Sequence, residues 1–135
     1  MRALLDTHIL LFWLGGGRRG ARLSRKQKRV VDAASAEHPL LVSDISLWEI
    51  ATLYEHGRIK LRMGLREWLE AAVAPPLVRR ASISPAVATQ VALLPPTFHR
   101  DPADRIVVAT AMVHGANLLT QDERIIDAGL VTTIE

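Results

Sequence analysis

Short apolar runs alternate with longer amphipathic stretches along the whole chain. Ala3 to Leu5 ends at Asp6 and reads as a buried strand. The stretch Ile9 to Leu14 reads as a helix, stopped by the glycines at 15 to 17. Ser24 is placed to cap a helix running to about Glu37. Pro39 to Ser43 reads as a second buried strand. Ser43 or Asp44 then caps a helix extending to His56, with Gly57 at its end. Leu65 to Val73 suits an amphipathic helix halted by Pro75-Pro76, and Val78 to Ile83 predicts a third strand. A helix opening at Ser84 and Pro85 ends before Pro95-Pro96, and Asp101-Pro102 opens another that finishes at Gly115. Asn117 to Thr120 is a fourth strand, Glu123 to Ala128 a short helix and Val131 to Ile134 a last strand.

No internal repeat or long low-complexity segment interrupts this alternation, so residues 1–135 are expected to form one domain. Short strands, apolar on both faces and separated by helices, imply the α/β class. The expected architecture is a three-layer α/β/α sandwich around a central, mainly parallel sheet. Polar ligands in such folds gather beyond the carboxyl ends of the strands, so the acidic residues there decide the chemistry.

Asp6 and Asp122 each follow a strand, and each taken alone reads first as a helix cap. Glu49 is harder to place. Its helical neighbours Ile45 and Leu53, with Ile50 beside it, put its carboxylate on or next to the buried face. A buried carboxylate needs a partner, and no basic residue lies on that face; a bound cation would supply one. Asp104 repeats the pattern above the apolar stripe Val107, Val108 and Ala111. Asp101, followed by proline, reads chiefly as a cap. Four carboxylates, Asp6, Glu49, Asp104 and Asp122, are thus expected to converge at one edge of the sheet. Hard oxygen ligands without His or Cys favour Mg2+ or Mn2+ over Zn2+. Two such ions about 4 Å apart serve phosphodiester cleavage.

Composition narrows the classes further. The 135 residues include no cysteine, which excludes disulfides, thiolate metal sites and cysteine nucleophiles, and suits a reducing cytoplasm. No stretch reaches the roughly 18 apolar residues of a membrane span, and an aspartate rather than a basic segment precedes the first apolar stretch. A signal peptide and a membrane partner are therefore not expected. Seventeen Lys and Arg against 14 Asp and Glu give a net charge of +3. The basic residues cluster from Arg18 to Arg29, as a solvated helix face or as a surface for a polyanion or an acidic partner tail.

Leu4-Leu-Asp6-Thr7-His8, Ser46-Leu-Trp48-Glu49-Ile50, the segment from Asp101 to Ala111, and Leu119-Thr120-Gln-Asp122 appear in that order over almost the whole chain. This ordered set resembles the PIN-domain ribonucleases, particularly the VapC-type toxins of bacterial toxin–antitoxin pairs. The resemblance implies a PIN fold, Mg2+- or Mn2+-dependent endoribonuclease activity, neutralisation by a VapB-like antitoxin, and a homodimer. It places Asp6, Glu49, Asp104 and Asp122 in the acidic catalytic and metal positions, Asp6 and Asp104 foremost. Thr7 and Thr120 fall where the family often has a hydroxyl that orients a carboxylate or water.

Other residues carry plainer readings. His8 is expected to be a hydrogen-bonded structural histidine, and no histidine has metal-ligand spacing. Trp13, Trp48 and Trp68 are expected to pack in a core or interface, and Phe12, Trp13 and Leu14 are a candidate apolar patch. Arg105 is expected to brace Asp104, meet an RNA phosphate or form a surface ion pair. Two rival functions follow from the same residues. One is a non-catalytic nucleic-acid- or protein-binding module on this fold. The other is an aspartate-nucleophile phosphatase or receiver, but Asp6-Thr7-His8 lacks a second aspartate and no late-strand lysine accompanies it.

Overall fold

The computed structural model describes residues 1–15 and 21–135. The strands β1 (Ala3–Leu5), β2 (Leu40–Ser43), β3 (Val78–Ala81), β4 (Asn117–Leu119) and β5 (Thr133–Ile134) form one sheet in the order β3-β2-β1-β4-β5. Every pairing is parallel, so the sheet is wholly rather than mainly so. The helices among the described residues are α1 (Thr7–Leu14), α2 (Arg25–Asp32), α3 (Asp44–Glu55), α4 (Leu65–Ala72), α5 (Pro85–Ala92), α6 (Pro102–His114) and α7 (Glu123–Ala128).

Successive strand residues point to opposite faces, and the register sorts them into two cores. Leu4 pairs with Leu41 and Leu118, and all three face α6 and α7 through Val107, Val108, Ala111 and Ile125. Leu5, Leu40, Val42 and Leu119 face the other way, onto Ile9, Leu10 and Leu11 of α1, Val31 of α2, Ile50 of α3 and Trp68 of α4. Three layers result, as the apolar-on-both-faces strands require. No helix of the described residues is long and apolar enough to cross a membrane.

From β1 the chain builds outward to β2 and β3, then crosses back to β4 and β5. The direction of winding reverses between β1 and β4. That reversal opens a crevice at the carboxyl ends of these two strands, where Asp6 and Thr120 emerge.

Several boundaries differ from the sequence expectation. The helix capped by Ser24 ends at Asp32, not Glu37, because Ser35 and His38 bond each other's main chains in a tight turn that redirects the chain into β2. Ser43, not Asp44, caps α3, its hydroxyl accepting from the Ile45 N–H at 3.2 Å. The third strand stops at Ala81 and the last begins at Thr133. Trp68 is buried, but Trp48 is 60 % exposed. Ser46 and Ile50 define the inward side of α3, and Trp48, two residues from each, points about 160–200° away. Phe12 and Trp13 pack onto the α1-side core, leaving Leu14 as the exposed member of the candidate patch. Part of the basic stretch, Arg18 and Arg19, lies outside the described residues. Arg22, Arg25, Lys26, Lys28 and Arg29 are exposed, and Lys28 pairs with Asp32 at 3.0 Å.

Candidate active site

Leu5 ends its strand among apolar neighbours, and the next residue, Asp6, serves as the N-cap of α1. Both of its carboxylate oxygens are engaged. The Thr7 N–H donates to Oδ1 at 2.9 Å and the Thr120 hydroxyl donates to Oδ2 at 2.8 Å. Asp6 is 6 % exposed, and this burial pushes its carboxyl up to about 6. The two hydrogen bonds work against that rise, and the charges of Asp104 and Glu49 add to it. Thr120 also accepts the Asp122 N–H at 3.0 Å, so one hydroxyl fixes the geometry of two acidic residues. The Thr7 hydroxyl lies 2.9 Å from that of Ser46 on α3, tying the start of α1 to the helix that carries Glu49.

Asp104 sits in the first turn of α6, where the Asp101 cap accepts its N–H at 3.1 Å. Its Oδ2 lies 2.7 Å from His99 Nε2 and 3.3 Å from Arg124 Nη2. Burial raises its carboxyl, as do the charges of Asp101 and Asp122, while His99 opposes the rise. Glu49 is half-buried and forms no ion pair among the described residues. Burial raises it too, and Asp104 adds repulsion. Asp122 caps α7 and behaves differently. Burial acts to raise it, but hydrogen bonds from Arg124 outweigh this and hold it below the usual carboxylate range.

Asp6, Glu49, Asp104 and Asp122 therefore line one cleft of about 380 Å³, with His8, Phe12, Asp101, Gln121 and Arg124 completing its walls. An apolar cavity of about 340 Å³ at the opposite end of the sheet, bounded by Met1, Ala3 and Leu40, carries no comparable chemistry. Among the described residues no three acidic or imidazole side chains stand ready as a preformed metal nest. Arg124 and His99 engage Asp104 and Asp122 instead. The donor set nonetheless fits a hard divalent cation: it is all carboxylate, and three of the four acids are held up by burial and mutual repulsion that such an ion would relieve.

Two residues that bind the cleft's acids escaped the sequence reading, Arg124 on the cleft wall and His99 behind it. Arg124 follows the Asp122 cap by two positions, a spacing that signals a first-turn cation beside a capping carboxylate. His99 lies in an irregular loop and carried no periodic signal. Arg105 neither braces Asp104 nor meets solvent. It is 9 % exposed, donates to the Phe98 and His99 carbonyls at 3.1 and 3.2 Å, and lies over the Phe98 ring. It thereby holds the loop that presents His99. His8 is exposed on the cleft wall, its ring tilted against Phe12, rather than buried in a structural hydrogen bond.

A wholly parallel sheet of this order makes a doubly wound α/β domain, and acidic residues at its winding reversal are consistent with a PIN-like one. The PIN domain family matches residues 3–130. The chain belongs to that family, in its VapC branch. Ribonuclease VapC22 of Mycobacterium tuberculosis (strain ATCC 25618 / H37Rv) is 37% identical over 122 residues, spanning 90% of this chain and 88% of the relative. Among solved structures, VapBC2 from Rickettsia felis bound to a DNA fragment from their promoter is similar at a TM-score of 0.71 and 13% identity, covering 99% and 98% of the two chains. A toxin–antitoxin complex from Klebsiella pneumoniae is similar at 0.65 and 22% identity, covering 98% and 96%.

Proposed function

We propose that this chain is an endoribonuclease that hydrolyses RNA phosphodiester bonds with Mg2+ or Mn2+ and acts in the cytoplasm as the toxin of a toxin–antitoxin pair. The observation that carries the reading is the gathering of Asp6, Glu49, Asp104 and Asp122 around one cleft at the winding reversal. Its VapC22 relative is a ribonuclease by name, and structures of similar fold are toxin–antitoxin complexes. These support a VapB-like antitoxin as partner, and a homodimer is the expected assembly.

Asp6 and Asp104 are the proposed principal metal ligands, with Glu49 and Asp122 completing the set. A divalent ion held there supplies positive charge to the phosphate oxygens and leaving group of the reacting bond. The chain's own part is to hold those ligands still. Thr120 and the Thr7 N–H fix both oxygens of Asp6, and Asp101 and His99 fix Asp104 from two sides. Glu49, which lines the cleft and enters no ion pair among the described residues, is the carboxylate placed to orient the attacking water.

The test is cleavage of a mixed RNA pool by purified protein in Mg2+, Mn2+ or EDTA, beside Asp6→Asn. Metal-dependent cutting that vanishes in the variant is expected. Cutting that persists in EDTA or in Asp6→Asn would overturn the assignment.

A further inference from the structure

Arg124 already places a positive charge between two of the cleft's four acids. Its Nη2 donates to Asp104 Oδ2 at 3.3 Å and Asp122 Oδ2 at 3.2 Å, and its Nε reaches Asp122 Oδ1 at 3.4 Å. The anions are fixed: side chains of Asp104 and Asp122 are 10% and 26% exposed, and His99 holds the same Asp104 oxygen. The cation is not fixed. Its side chain is 60% exposed, so turning it outward sacrifices little packing. One guanidinium charge also offsets only one of the two carboxylates it bridges. A divalent ion would offset both.

Arg124 has somewhere to go. It borders both the carboxylate cleft and a neighbouring cavity of about 320 Å³ walled by Thr97, Phe98, His99 and Asp127, and among the described residues it is the one side chain lining both. A planar guanidinium standing at that junction matches a phosphate diester with two parallel donors.

Resting on the metal-nuclease reading above, we propose that Arg124 is a placeholder cation. It bridges Asp104 and Asp122 until a divalent ion displaces it, and the released guanidinium then grips an RNA phosphate beside the reacting bond. Arg124 is thus a positioning and substrate-binding residue rather than a metal ligand.

The experiment compares wild type and Arg124→Gln by Mn2+ titration followed by electron paramagnetic resonance, without RNA. It adds binding of a fluorescent single-stranded RNA in Ca2+ across a salt series, with the RNA checked for integrity. Arg124→Gln should bind Mn2+ about threefold tighter or more, having lost its competitor. It should bind RNA about threefold weaker or more, with the salt slope reduced by roughly 0.7. Arg124→Lys, which keeps charge without the fork, should retain the wild-type Mn2+ affinity while recovering only part of the RNA affinity. Weaker or unchanged Mn2+ binding in Arg124→Gln would overturn the placeholder role, and unchanged RNA binding would overturn the phosphate role. A wild type that takes up no Mn2+ would sink the metal reading together with this inference. A wild type that binds Mn2+ indistinguishably from the variant would sink this inference alone.

Discussion

Asp6 is an ionisable group almost wholly withdrawn from solvent, and without a bound cation its folding bears the cost. Its carboxyl ionises near about 6 in the fold, against an ordinary 3.8. Between these values the folded state keeps a proton that the unfolded chain has released, so this group's contribution to stability falls as pH rises. The full penalty, present above pH 6 and absent below about 4, is about 3 kcal/mol. Urea unfolding in EDTA should therefore show Asp6→Asn gaining on wild type as pH rises from 4 to 7, with added Mn2+ closing the gap. A difference that stays flat over that range would remove the buried-charge account. Thr120 belongs to the same argument, since its hydroxyl serves Asp6 and Asp122 together. A hydrogen bond to a charged group contributes about 1.5–3 kcal/mol, so Thr120→Val should lower kcat/KM roughly 10- to 100-fold, and Thr120→Ser should recover most of it. The four acids were legible because each breaks an apolar pattern or ends an apolar run. His99 was not, because a loop residue is placed by what holds the loop, and that is Arg105 several positions later.

At the scale of elements, α6 shows how a cap and a functional residue share one turn. Asp101 accepts the N–H of Asp104 itself, so losing the cap disturbs the acid as well as the helix. Asp101→Ala should cost about 1 kcal/mol of stability in denaturant titration, while cleavage falls further than that loss of folded protein accounts for. Helix α2 is anchored more firmly than its charge suggests. Gln27, fully buried, accepts the Ser24 N–H and donates to the carbonyls of Thr120 and Ile134 at 3.1 and 2.9 Å. The serine cap was readable from the sequence, but this reach across more than ninety residues was not, since a polar residue inside a basic helix looks like surface. Trp48 keeps only the interface half of its expectation. An aromatic residue on an amphipathic helix suggests packing, yet the phase set by Ser46 and Ile50 turns it outward.

For the molecule as a whole, the strand–helix alternation was sufficient to place all five strands and the parallel class, because strands buried on both faces leave little choice of layer. Strand order was not readable. It depends on which crossovers pack, and the reversal between β1 and β4 that makes the cleft appears only in the assembled sheet. Charge also acts at this scale. Arg25, Lys26 and Arg29 stand exposed on α2, whose buried Gln27 ties it to the strand end bearing Thr120. If RNA follows that face, replacing the three with serine should flatten the salt dependence of RNA binding by up to about 0.7 in slope per lost phosphate contact. An unchanged slope would direct RNA elsewhere.

The Asp6 N–H bonds the Leu119 carbonyl at 3.0 Å, so the ladder between β1 and β4 runs directly into the cleft floor. Amides of the two inner strands should be among the slowest to exchange with deuterium. Displacing Asp6 therefore means unzipping the middle of the protein, whereas Asp104 and Asp122 depend on the first turns of α6 and α7. A partner that silenced the proposed nuclease without unfolding it would have to fill the crevice or shift those helix starts, and activity should return once it is removed.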